Sequence, residues 1–419
     1  MKKTLALILA CVMTLSLVAC GGGSKEETKD ETQNPGTEVT GEPQPIETLA
    51  VCLASEPDTI DPALNSAVDG ATMLVHLFSG LAKWAPDANG NLVVVADCAT
   101  ELVEGVKNAD GTVTYTYTLK DGLKWSDGQA LTAEDFEFAW KRAASAELGA
   151  DYGYLYEIVK GYGTDNKEDL AVEALDAKTL QVTLANEVSF WNEMLAFPTF
   201  FPVRADVVAN DAWATEAATY VCNGAYTIES WNHGSVIVLA KNANYHDAAK
   251  VTMDKINFYL SDDANNMLTN FKNGDWLLID DVPTEEIANL KTQYPTEFVV
   301  AGQIGTYYVN WNVNQNLLPA TSTLTGVEAE KANAEIRYAF GLLFDRNYIV
   351  EEIGQAGQVP ASSFVAMGMT NPDGTEFYKT ANSTTDAFDG YYDVSAEAFE
   401  ANVAKAMETL KKYYTLETK

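Results

Sequence analysis

Three histidines, His76, His233 and His246, are the chain's natural candidates for proton transfer or metal ligation, and their scatter supports neither. No HExxH pair sets two of them one helical turn apart with a glutamate base between. No serine occupies a GxSxG elbow, and no Walker A loop offers backbone N–H groups to a phosphate. The cysteines, Cys11, Cys20, Cys52, Cys98 and Cys222, form no CxxC pair of the kind that holds zinc or runs a redox cycle. Asp87 stands second in "PDANG" at 86–90, but Gly90 is fourth counting from Asp87, where a calcium loop needs its glycine sixth. Asn89-Gly90 reads instead as a hairpin turn between "LAKW" and "LVVVA". The residue types therefore call for no catalytic centre, no cofactor and no metal, and an enzyme is not expected.

Cys20 is the exception, and its chemistry is attachment. Lys2 and Lys3 precede an apolar run of roughly 15 residues, shorter than the 20 or so a membrane-spanning helix needs. "LVA" then leads into Cys20. This arrangement resembles a bacterial lipobox, which predicts a signal peptide over 1–19 and a lipid on Cys20. Residues 21–48 hold seven acidic residues, two lysines and three prolines, with no periodic apolar pattern. Such a segment cannot bury enough surface to offset its ordering entropy, so a solvated tether is expected over 20–47. Cleavage removes Lys2 and Lys3, taking the formal net charge from −33 to −35. That charge excludes nucleic acid and adhesion to anionic lipid, leaving the lipid anchor as the sole membrane contact. Cys11 leaves with the signal, so Cys52, Cys98 and Cys222 remain. Three is odd, at least one thiol is unpaired within the chain, and buried small hydrophobes are expected.

Downstream, the patterning alternates strands and helices. A strand is expected over 49–53, then a loop with Pro57 and Pro62, then an apolar helix over 70–81. Residues 112–119 alternate in period two, with turns at Asp121-Gly122 and Asp127-Gly128. Thr132 with Asp135 resembles a capping arrangement, opening a helix with Phe136, Ala139, Trp140 and Ala143 on one face. "LDAKTL" reads as a turn between strands, and "NGAYTIESWNHGSVIVLAK" as a hairpin whose Gly224 supplies unusual backbone angles. "VTMDKINFYL" is a strand and "ANNMLTNFKNGD" a helix stopped by Gly274. The 395–414 stretch is helical, with Phe399, Val403, Met407 and Leu410 spaced for burial. The order implies a mixed α/β chain of two or three domains, not a repeat array.

"SEPDTIDP", "HLFSGL", "YTLKDGLKWSDGQALTAEDFEFAWKR", "LDAKTLQVTL", "NGAYTIESW", "FKNGDWLLID", "TYYVNWN" and "IRYAFGLLFDRNYI" occur in the order seen in family 5 extracellular solute-binding proteins. The resemblance runs from about Thr48 onward and is nearest to the oligopeptide-binding members. It implies a bilobal, type II periplasmic-binding-protein-like α/β fold with an inserted third subdomain. Lobe one would take 48–78 and 188–305, the insert 79–187, and lobe two 306–419. It further implies a monomer on the outer face of the cell membrane. That monomer would capture oligopeptides in a cleft between lobes and pass them to an ABC permease driven by ATPase subunits. Members of the family continue past the 395–414 helix, so the C-terminal part of lobe two is expected to be missing from these 419 residues. An aspartate that pairs with a peptide's α-ammonium group would lie in that part.

An enclosed peptide must have its backbone groups satisfied and its side chains given room. The resemblance assigns that work to Ser66, Ala67 and Val68 through their backbone, to Tyr152, and to Tyr308 and Asn312 in "TYYVNWN". Tyr154 and Tyr156 compete with Tyr152 for its role, and alternation lets only one of Tyr307 and Tyr308 face a ligand. The loop "GQAGQVP" at 354–360 has no Lys or Arg to meet a peptide carboxylate. Other readings are a same-family receptor for an oligosaccharide or metal chelate, a secreted hydrolase, and a surface adhesin. The anchor is directly testable. Cys20→Ala should shift the protein from the membrane fraction to the soluble fraction, because acyl chains are its expected apolar attachment. Unchanged membrane retention would overturn the lipobox.

Overall fold

A computed structural model describes residues 48–371, 373, 375–377 and 390–415. The expected signal peptide, tether and Cys20 lie outside the described residues. The chain divides after Asp281 into two compact units. Among the described residues no helix is long and apolar enough to cross a membrane.

The first unit is built on two four-stranded sheets and a two-stranded ribbon. Strand β1 (Thr48–Cys52) pairs in parallel with β10 (Lys255–Tyr259). That strand continues antiparallel into β9 (Val236–Lys241) and β8 (Tyr226–Asn232), joined by a turn at Gly234. The ribbon is β2 (Ala82–Pro86) with β3 (Leu92–Ala96). Their turn is the one "NG" predicted: Gly90 has φ +83°, and the Asp87 carboxylate accepts from the N–H groups of Asn89 and Asn91 at 2.8 Å each. The second sheet runs β4 (Val106–Lys107), β5 (Val113–Thr118), β7 (Thr179–Leu184), β6 (Val172–Asp176). Period two places Val113, Tyr115 and Tyr117 on one face opposite Leu184, Val182 and Leu180, and all six are buried.

Helix Ala133–Ala143 covers that sheet. Asp135 accepts from the Thr132 N–H at 2.9 Å, and Phe136, Ala139, Trp140 and Ala143 are all buried. Trp140 meets Trp191, Phe200 and Tyr156 with ring centroids 5.6–6.2 Å apart. The polar tips in this cluster are partnered: Trp140 Nε1 donates to the Phe200 carbonyl at 2.9 Å and Tyr156 OH to that of Thr199 at 2.8 Å. Two residues further along, Arg142 reaches back to the loop after β1. Its guanidinium grips Asp61 in a fork, at 3.0 Å and 2.6 Å, and the Asp61 side chain is almost wholly buried.

The helix after β1 differs from the sequence reading. It spans Val68–Leu77 instead of 70–81. It stops because Gly224 N–H takes the Leu77 carbonyl at 2.7 Å, while the Asn223 amide exchanges two hydrogen bonds with Ser79. Gly224 also corrects its expected role. Its backbone is not left-handed; a Cβ there would sit 2.4 Å from the Leu77 carbonyl carbon, so close approach demands the glycine. Helix Ala264–Asn273 ends as predicted, with Gly274 at φ +80°.

Buried chemistry in this unit is locked in place. Cys52, Cys98 and Cys222 are free and buried, as expected, and burial pushes the Cys222 thiol up to about 12. Asp97 receives Lys83 at 2.8 Å and His246 at 2.9 Å. Burial alone would raise its carboxyl, but those two donors hold it below the ordinary value.

The second unit packs helix Gly326–Leu342 against Phe399–Lys411 through Ala332, Ile336, Ala339, Leu342, Ala406 and Leu410. The predicted stripe on the last helix needs one change. Leu410 is buried and Phe399 and Val403 are half-buried, but Met407 is exposed and Ala406 takes its place in the contact. Arg346 lies 4.1 Å over the Tyr392 ring. Residues 298–312 form neither helix nor strand.

Removing one partner of a buried, forked ion pair strands the other charge. Arg142→Ala should therefore destabilise the first unit by about 3–5 kcal/mol in urea unfolding followed by tryptophan fluorescence. A loss under about 1 kcal/mol, the range of surface pairs, would show that Asp61 is not held in the dry setting its burial indicates.

Candidate functional site

Loop 53–67 is positioned by its own carboxylates. Asp61 turns the chain by accepting from Ala63 N–H at 2.9 Å, and its backbone carbonyl takes the N–H groups of Leu64 and Asn65. The Asn65 amide then donates to the Ala67 carbonyl at 3.0 Å, delivering Ser66, Ala67 and Val68 at the mouth of helix Val68–Leu77. All three residues are exposed, Val68 at 84%. Ala67 is committed to the helix start: its N–H meets Asn65 Oδ1 and its carbonyl also accepts from Ala71. The N–H and C=O of Ser66 and the N–H of Val68 make no hydrogen bond among the described residues, so these groups can serve an extended ligand.

Ser66 joins this loop to a second candidate. Its hydroxyl donates to the Asp151 carboxylate at 2.7 Å, one residue from Tyr152 and 85 positions away in sequence. Tyr152 is half-buried, edge-on to Phe197 with centroids 5.0 Å apart and 6.3 Å from Tyr154. The three neighbouring tyrosines now separate. Tyr156 is a core residue, Tyr154 is exposed, and Tyr152 is held at the boundary with one face covered. The structure thus brings Ser66, Ala67, Val68 and Tyr152 into one region of the first unit.

Tyr308 and Asn312 belong to the second unit. Tyr308 is exposed and meets Phe364 edge-on at 5.1 Å, while Tyr307 is fully open to solvent. Asn312 uses its side-chain oxygen within its own turn, accepting from Asn314 N–H at 3.1 Å. Sequence reasoning missed one residue here. Loop 354–360 has no basic residue of its own, yet Lys291 donates to the Gln355 carbonyl at 2.7 Å, setting an ammonium on that loop from a helix 64 positions earlier. The single signal for it is the lysine itself, and nothing in its spacing points to the loop. Among the described residues no group of three or more His, Cys, Asp or Glu could hold a metal ion.

Residues 97–414 match the family described as bacterial extracellular solute-binding proteins, family 5 Middle. The chain is 31% identical over 379 residues to the oligopeptide-binding protein of Bacillus subtilis, covering 87% of this chain and 64% of that one. It is 28% identical over 385 residues to the dipeptide-binding protein of the same organism, covering 90% and 65%. A probable deoxycholate-binding periplasmic protein of Escherichia coli is 30% identical over 276 residues, covering 62% and 49%. The chain thus spans less than two thirds of the length of each of these relatives. Among solved structures, the oligopeptide-binding protein of Burkholderia pseudomallei aligns with TM-score 0.70 at 27% identity, covering 88% of this chain and 67% of that one. That of Listeria monocytogenes, bound to peptide, aligns with TM-score 0.70 at 23% identity, covering 89% and 70%. These neighbours give the fold class: mixed α/β, of the type II periplasmic-binding-protein kind.

The hold on Tyr152 is measurable. An edge-to-face pair contributes roughly 0.5–1.5 kcal/mol beyond burial. A double-mutant cycle of Tyr152→Ala with Phe197→Ala in urea unfolding should return a coupling of that size. A coupling near zero would mean that Tyr152 is not fixed by Phe197.

Proposed function

The chain belongs to the bacterial extracellular solute-binding proteins of family 5, and from that membership we propose that it captures oligopeptides outside the cell for an ABC importer. What supports the peptide reading within the molecule is the joining of the Ser66 loop to Tyr152 through Asp151. That junction sets unused backbone donors and an acceptor beside a fixed aromatic edge. Backbone groups of this kind pair with any peptide regardless of sequence, and an aromatic edge offers contact area at small entropic cost. Tyr308 and Asn312 in the second unit are the further contacts we assign, with the Lys291 ammonium available to a peptide's carboxylate. Delivery would be to a permease and its ATPase subunits, with the protein a monomer held at the membrane by a lipid on Cys20.

A receptor for a non-peptide cargo is the second reading, favoured by the similarity to the relative named for deoxycholate. Native mass spectrometry of the purified chain separates the two. A ladder of co-purified peptide masses supports the first, and one uniform non-peptide mass overturns it. If cargo is held mainly through its backbone, Tyr308→Ala should weaken three unrelated tetrapeptides by a similar factor. A mid-interface aromatic truncation commonly costs at least ~1 kcal/mol, or about fivefold in affinity, read by calorimetry. Weakening of one peptide alone would make Tyr308 the wall of a side-chain pocket.

A further inference from the structure

The junction between the Ser66 loop and Tyr152 turns on a carboxylate whose hydrogen bonding is half complete. Asp151 Oδ2 accepts the Ser66 hydroxyl at 2.7 Å, while Oδ1 makes no hydrogen bond among the described residues. The side chain is exposed, and no Lys, Arg or His of the described residues forms an ion pair with it. A carboxylate offers about four lone-pair sites on its two oxygens, so one hydroxyl leaves most of that capacity open.

The two stretches that meet here carry charge of one sign. Residues 53–69 hold Glu56, Asp58, Asp61 and Asp69, residues 143–159 hold Glu147, Asp151 and Glu157, and neither stretch contains a Lys, Arg or His. The basic residues that flank the second stretch are committed elsewhere. Arg142 grips Asp61, Lys141 bridges Glu137 and Glu168, and Lys160 reaches Asp110. A cation for Asp151 must therefore come from a ligand.

Ser66 makes this carboxylate part of the ligand-facing loop. The residue that donates its hydroxyl to Asp151 keeps its own backbone N–H and C=O unpaired. An extended peptide paired with Ser66 would run within a side chain's reach of Asp151 Oδ1. An acidic side chain there would meet like charge, and a neutral amide would gain an ordinary hydrogen bond. An ammonium or guanidinium would gain a charge-assisted one.

We propose that Asp151 is a specificity-determining residue, selecting peptides that place a Lys or Arg side chain beside the residue paired with Ser66. The proposal rests on the peptide reading above and adds a preference for charge to it.

The test is calorimetry on the full 419-residue chain. The probes are alanine tetrapeptides with Lys, Gln or Glu at each position in turn, with free and with acetylated N-termini. At one position the Lys peptide should bind about fivefold tighter than the Gln peptide, the upper range for an exposed ion pair. That ratio should survive acetylation and shrink as salt is raised. Asp151→Asn keeps an oxygen for the Ser66 hydroxyl, so it should bring the ratio to about one and leave the Gln peptides unchanged. Ser66→Ala loosens the loop but keeps the charge; it should weaken all peptides alike and preserve the ratio. An unchanged ratio in Asp151→Asn overturns the proposal. Loss of the ratio in Ser66→Ala as well would make Asp151 a support for the loop, which also overturns it. A preference that vanishes on acetylation assigns the carboxylate to the α-ammonium group and overturns the side-chain choice. Equal binding of Lys and Gln peptides to the unaltered chain overturns this proposal and leaves the peptide reading standing. Binding of no peptide overturns both.

Discussion

The Asp61–Arg142 pair is the contact on which the first unit's geometry depends. It ties the loop after β1 to the helix that carries Trp140, across 81 positions of sequence. Every oxygen of Asp61 is used: the two carboxylate oxygens by the guanidinium and the Ala63 N–H, the backbone carbonyl by Leu64 and Asn65. A charge this dry is tolerable only when its partner is fixed and its remaining lone pairs are filled. The pair therefore sets register more than it adds stability. Ser66, Ala67 and Val68 follow directly from that register, and Asp151 meets Ser66 only because the loop arrives where it does.

Stiffness in this unit comes from aromatic residues whose polar tips are satisfied. Trp191 donates to Tyr117 OH at 3.0 Å, and Tyr117 in turn donates to Asn192 at 2.8 Å, so the second sheet is wired to the segment behind it. The same logic puts Tyr156 in the core and leaves Tyr152, four positions earlier, half-buried at its edge. The free cysteines fit this pattern as filler. With burial raising their thiols, they stay protonated and unreactive.

The second unit is organised differently. Two helices pack together and Arg346 stacks on Tyr392, while the most strand-like stretch of its sequence joins no sheet among the described residues. A helix satisfies its backbone from its own residues, whereas a strand needs a neighbour. That asymmetry explains why the helices of this unit are formed and 299–311 is bare.

Sequence alone determined what depends on neighbours a few residues apart. The turn at Asn89-Gly90, the Thr132–Asp135 cap, the Gly274 stop and the buried face of helix Ala133–Ala143 all rest on local backbone preference or a fixed period, so they could be read in advance. The family itself was legible for the same reason: it is a pattern of residue types in order. Tertiary structure decided whatever joins distant positions. The helix expected over 70–81 ends at Leu77 because Asn223 and Gly224 arrive there, some 145 residues later in the chain. Met407 yields to Ala406 because the partner helix, not the period, selects the contacting face. Tyr152 was separable from Tyr154 and Tyr156 only once Phe197 and Phe200 had taken their places, and Lys291 reached loop 354–360 through space with no trace in its spacing. Local propensity acts within a turn or two of chain; packing and charge pairing act within a few ångströms, and only the folded chain says which residues those ångströms contain.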